Sequence, residues 1–147
     1  MKLLFLLLLT LLILVSACTK VTDCGSNIDC FKNSAEMCSK SRFLLSHQDN
    51  NILISLRGIS DDKCGVSFKI IELSEELKKS YPLESAGLKG KTMNCLVPIK
   101  YKDINNWQKI INNNEKFDEY CSGQIKDLMQ GPLKDILINK FNNIVNE

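Results

Sequence analysis

The chain is poor in the residues that metal sites and acid–base catalysis draw on. Its 147 residues hold one histidine, His47, one tryptophan, Trp107, and no C-x-x-C pair among seven cysteines. Zinc sites need closely spaced Cys and His ligands, and a thioredoxin-like centre needs C-x-x-C, so neither is expected. Charge of one sign is missing too: 19 basic side chains face 17 acidic ones. A nucleic-acid surface needs a clustered basic excess, so nucleic acid is excluded as a partner. Gly90-Lys91-Thr92 resembles the end of a phosphate-binding loop, but Ser85 stands where that pattern needs glycine. Asp61-Asp62 and Asp118-Glu119 lack the alternating oxygen ligands of a calcium loop and are read as solvated turn and helix-end carboxylates. No cofactor and no metal are expected.

What is present begins at the first residues. Lys2 is followed by the apolar block LLFLLLLTLLILV over residues 3–15, and then by Ser16 and Ala17 directly before Cys18. A positive start, a short apolar stretch and a small-residue site make a secretory signal, which places the remainder outside the cytoplasm. As a helix the block reaches about 20 Å, short of the ~30 Å hydrocarbon core, so a permanent span is not expected.

Val15-Ser16-Ala17-Cys18 resembles the lipobox of prokaryotic lipoprotein signal peptides, with Val15 where leucine is commonest. The resemblance covers only about the first eighteen residues. It implies that residues 1–17 are removed and that the Cys18 thiol carries a diacylglyceryl group, with palmitate-type acyl chains anchoring the protein to membrane lipid on the extracytoplasmic face. Two or more chains hold a protein stably where one holds it marginally. Cleavage after Ala17 without lipid, or an uncleaved anchor, are the competing readings. Residues 18–23 then form the lipidated cysteine and a short polar tether, and residues 24–147 a single domain.

Six cysteines remain: Cys24, Cys30, Cys38, Cys64, Cys95 and Cys121. An even number in an exported domain of this size reads as three disulfides. Ile28, Phe31, Ala35 and Cys38 fall on one face of a helix expected over Asn27 to Ser39. In a continuous helix Cys30 and Cys38 lie ~12 Å apart, too far to bond, and Cys24 is farther still. Cys38 is left to pair with Cys64, Cys95 or Cys121.

The expected fold is α+β, disulfide-stapled, with an N-terminal helix, an antiparallel meander of about four strands and C-terminal helices on one face. The strand-like runs are Arg42 to His47, Ile52 to Arg57, Cys64 to Leu73 and Lys91 to Pro98. Gln48 to Asn51 and Ser60 to Lys63 provide turns between the first three. Ile52, Ile54 and Leu56, then Cys64, Val66, Phe68 and Ile70, then Met93, Cys95 and Val97 mark the buried parity. Ser74 to Lys79 reads as a helical turn and Ser80 to Gly90 as a long loop. Helices follow from Asp103 through Ile104, Trp107, Ile110 and Ile111, then through Phe117 to Met129 with a bend at Ser122-Gly123, then from Pro132 through Val145. A helix followed by four antiparallel strands resembles cystatin-like rolls in element order alone, which does not carry function.

The functional expectation is a lipid-anchored envelope or surface protein that binds or supports without catalysis. Trp107, Tyr81 and Tyr101 are candidate contacts for an unknown protein or small-molecule ligand, with a core role for Trp107 the simpler reading. A small secreted hydrolase built around His47, and an inhibitor or ligand-binding roll, are the alternatives.

Overall fold

A computed structural model gives the fold, and it describes residues 20–101, 104–111 and 113–128. The signal and lipobox residues, Asp103 and the helix expected from Pro132 to Val145 lie outside the described residues.

A short strand β1, Thr22–Asp23, comes first. Helix α1, Ile28–Glu36, starts where the Asn27 side chain accepts a hydrogen bond from the Cys30 N–H at 3.0 Å. It ends two turns later because Cys38 adopts a left-handed backbone, φ 48°. The Cys38 N–H then bonds the Ala35 carbonyl and the Ser39 N–H bonds the Ser34 carbonyl, the hydrogen-bond pattern of a Schellman cap. The helix therefore stops at Glu36, short of the expected Ser39.

Four strands follow the expected meander: β2, Ser41–His47; β3, Asn50–Ser60; β4, Lys63–Glu72; and β5, Thr92–Pro98. Gln48-Asp49 and Asp61-Asp62 each form a two-residue hairpin loop with both residues at positive φ, the type I′ conformation that suits strand twist. Between β4 and β5 lie helix α2, Glu75–Ser80, capped by Ser74, and a helical turn α3, Pro82–Ser85. The expected long loop thus contains a turn of helix, begun by Pro82 at a position that tolerates its missing N–H.

The C-terminal part has α4, Ile104–Ile111; α5, Asn114–Tyr120; β6, Cys121–Ser122; and α6, Gln124–Leu128. The bend expected at Ser122-Gly123 is where β6 joins β5. Gly123, at φ 116°, makes this possible: a Cβ there would sit 2.7 Å from the Thr92 carbonyl oxygen.

The α+β, disulfide-rich architecture holds, but the sheet is larger than four antiparallel strands. Among the described residues it has six, in the order β1-β2-β3-β4-β5-β6, and is mixed because β1 runs parallel to β2. The first element is a strand and α1 comes second, so the cystatin-like order of helix then four strands does not describe this chain.

The core lies on one face of the sheet. Phe43, Leu45, Ile54, Leu56, Cys64, Val66, Ile70, Met93, Cys95 and Val97 are buried there, following the expected parity. Phe31 of α1 stacks on Phe43 at 4.9 Å between ring centres, and Trp107 of α4 meets Phe31 edge-on at 6.0 Å. Three disulfides join Cys24 to Cys30, Cys38 to Cys64 and Cys95 to Cys121. The second ties the end of α1 to β4, and the third ties β5 to β6.

Candidate functional site

The opposite face of the sheet carries the most distinctive chemistry. At one register level Arg42, Ser55, Ser67, Asn94 and Ser122 stand side by side on β2 through β6, a polar row across five strands. Next to it the β3–β4 pairing slips. Leu56 pairs with Val66 and Gly58 with Gly65, which leaves Arg57 as the extra residue of a β-bulge. The two glycines make room for long cationic stems. A Cβ at Gly65 would lie 3.1 Å from Arg57 Cβ, and one at Gly58 would lie 3.4 Å from Lys40 Cγ.

Arg57 reaches over β4 to β5. Its Nη2 donates to Asn94 Oδ1 at 2.7 Å and to Ser67 Oγ at 3.3 Å. Both partners are neutral, so the guanidinium is positioned without being neutralised, and most of its five N–H donors remain available. Together with Val21, Lys40, Arg42, Ser55 and Ser67 it lines an open groove of about 370 Å³. Ser41 and Leu56 also line it, and no Asp or Glu does among the described residues. Among the described residues neither Arg42 nor Arg57 forms an ion pair. The groove can hold an anionic group against fixed donors.

A second groove, about 360 Å³, runs beside α2 and α3 and includes Glu72, Lys78, Pro82 and Lys89. Its charges are already matched. Glu72 lies 3.3 Å from the Lys78 ammonium and 2.8 Å from that of Lys89, and Glu75 lies 2.7 Å from Lys78. Hydrogen bonds from Lys89 and then Lys78 hold the Glu72 carboxyl below the usual carboxylate range. The hydrogen bond to Glu75 raises the Lys78 ammonium.

The sequence candidates are scattered. Trp107 is 2% exposed and belongs to the core. With Val66, Phe68, Cys95, Val97, Ile110 and Cys121 it borders an apolar cavity of about 20 Å³. Its indole N–H is buried and makes no hydrogen bond among the described residues. Tyr81 is half-buried between α2 and α3. Tyr101 is half-buried in a 3-10 turn over Ile99–Tyr101, with the Lys100 and Lys116 ammonium groups 5.0 and 5.3 Å from its ring centre. Tyr81 and Tyr101 line neither this cavity nor the two grooves. His47 ends β2, and no carboxylate is hydrogen-bonded to its ring among the described residues. Asp118 pairs with Lys126 at 3.0 Å. No group of three or more metal-ligating side chains occurs among the described residues.

Alternation along β3 and β4 already put Ser55, Arg57 and Ser67 on the polar side. It could not show that a bulge and two glycines gather Lys40, Arg42 and Arg57 around one groove. Comparison with protein-family models, with curated proteins and with solved structures finds no match to this chain.

Proposed function

We propose that this protein is a lipid-anchored component of a cell envelope, held to the extracytoplasmic face through an acylated Cys18, and that its disulfide-stapled domain acts by binding rather than by catalysis. The observation that carries this reading is the completeness of the disulfide set. Cys24, Cys30, Cys38, Cys64, Cys95 and Cys121 all pair with one another, so Cys18 is the one cysteine of the seven with no partner in the set. Three disulfides match an oxidising compartment, and a lone cysteine directly after a signal-like segment matches a lipid attachment point. The groove around Arg42 and Arg57 supplies a binding surface with fixed donors.

Intact-mass measurement of the protein from a membrane fraction tests the anchor. The expected mass is that of residues 18–147 with three disulfides plus a diacylglyceryl group and any further acyl chain. A chain starting at Cys18 with an unmodified thiol would reject the anchor. Thiol titration of the denatured, unreduced protein should find none of the other six cysteines free.

A further inference from the structure

We infer that the polar face of the sheet, which carries no helix among the described residues, is a membrane-contact surface, with the groove around Lys40, Arg42 and Arg57 seated on the headgroups of anionic phospholipids in the same bilayer that holds Cys18. This rests on the lipid-anchor reading and adds to it the orientation of the domain and the chemistry it meets.

Reach is the first argument. Val21 lines the groove and is three residues after Cys18. Three residues span at most about 11 Å, and the headgroup layer is itself roughly 5–8 Å thick on each side of the hydrocarbon core. A cysteine fixed at that boundary therefore keeps Val21 inside the headgroup layer or at most about 6 Å beyond it. The Thr22 N–H bonds the Lys40 carbonyl and Asp23 pairs in register with Arg42, so the tether enters the fold at the groove itself.

Charge is the second. On this face stand Lys40, Arg42, Arg57 and Lys69. Asp23, in register beside Arg42, is an acid among the described residues on this face, and its carboxylate accepts the Gly25 N–H at 3.0 Å. Basic residues close to an anionic leaflet are attracted to it, and the attraction fades within a Debye length.

Exposed apolar side chains are the third. Leu96 is 53% exposed and Val21 43% exposed. Leu96 pairs in register with Gly65, against which Arg57 packs, so an apolar side chain stands beside the cationic groove. Apolar residues interleaved with cations are the composition of a surface that lies on a bilayer. By contrast Leu83, the most exposed large apolar residue at 87%, sits on α3 beside the charge-matched groove.

Hydroxyl-radical footprinting of the full-length gene product, reconstituted in vesicles, tests this with Leu83 as an internal control. On phosphatidylcholine vesicles containing phosphatidylglycerol, Leu96 oxidation should fall several-fold relative to detergent while Leu83 oxidation stays unchanged. On pure phosphatidylcholine the protection should weaken. Arg42→Gln, whose guanidinium makes no hydrogen bond among the described residues, should cut the docked-to-free ratio about fivefold, and Arg42→Gln/Arg57→Gln further. Equal labelling of Leu96 and Leu83 on anionic vesicles overturns the proposal, as does protection that ignores lipid charge and both substitutions. Protection of Leu96 by inorganic phosphate in detergent, without vesicles, overturns it in favour of a soluble anion. Flotation with vesicles at about 1 M salt, where the Debye length is ~3 Å, reads the anchor alone. Loss of flotation there rejects lipidation, while the low-salt footprint still decides the face.

Discussion

Cys38 carries two constraints at once. It is the residue just past α1, where a left-handed backbone is needed and glycine is the usual occupant, and it bonds Cys64 across to β4. A non-glycine residue held at φ 48° costs energy that the cap and the disulfide together offset. Two variants lacking this disulfide should therefore differ. Cys38→Gly/Cys64→Ala should be more stable than Cys38→Ala/Cys64→Ala by about 1 kcal/mol, because glycine takes the left-handed conformation freely. Urea denaturation of the pair measures it, and equal midpoints would show that the cap carries no conformational strain. The same residue explains a shortfall of the sequence reading. Ile28, Phe31, Ala35 and Cys38 share a helical face, so periodicity extends the helix to Ser39. Periodicity has no signal for a non-glycine residue that turns left-handed. Trp107 was legible as core from its place among Ile104, Ile110 and Ile111, but the lack of a partner for its N–H among the described residues was not, since that depends on neighbours distant in sequence.

At the level of elements, α2 is fastened to the end of β4 by ions rather than by apolar contact alone. Glu72 of β4 accepts from Lys78 of α2 and from Lys89. Its folded-state ionisation is depressed below the ordinary 4.5 by these hydrogen bonds. A depressed carboxyl contributes stability that is present above its unfolded value and is lost as pH falls through the folded value. The midpoint in urea should thus decline on acidification below about 4.5, and Glu72→Gln should lower the neutral-pH midpoint slightly and flatten that decline. A variant whose acid profile overlays the parent would mean that Glu72 contributes nothing to it. Strands β2 to β5 were readable because each is long enough to show two-residue alternation between turn-forming clusters. β1 and β6 have two residues each and can show no period; only their pairing partners define them. The bulge at Arg57 was hidden for a related reason. Leu56-Arg57-Gly58 reads as ordinary alternation until the register of β4 is known, and that register places the groove.

For the whole molecule, the disulfides divide the labour by loop size. Cys24 and Cys30 are 6 residues apart, whereas Cys38–Cys64 and Cys95–Cys121 each span 26. Chain-entropy arithmetic assigns about 2 kcal/mol to the short loop and about 3.5 kcal/mol to each long one. Replacing Cys95 and Cys121 together by alanine should therefore cost more than replacing Cys24 and Cys30, and thermal unfolding of the two double variants ranks them. The reverse order would mean that native packing around α1, rather than loop closure, sets the value of the first disulfide. Helix geometry confines Cys38 to three partners, and Cys64 is one of them. The choice among the three depended on which strand the end of α1 lies over.

The three loops follow one another along the chain without nesting or crossing, and this has a mechanical meaning. A force applied along the chain bypasses each loop at its covalent bond, so the oxidised domain behaves as a line with three closed eyelets. Pulled out fully, it would extend roughly 190 Å less than the reduced chain at ~3.5 Å per residue. Reduction would release that length in separate increments, about 15 Å from the first loop and about 85 Å from each of the others. Slack in such a chain is set by the redox state around it.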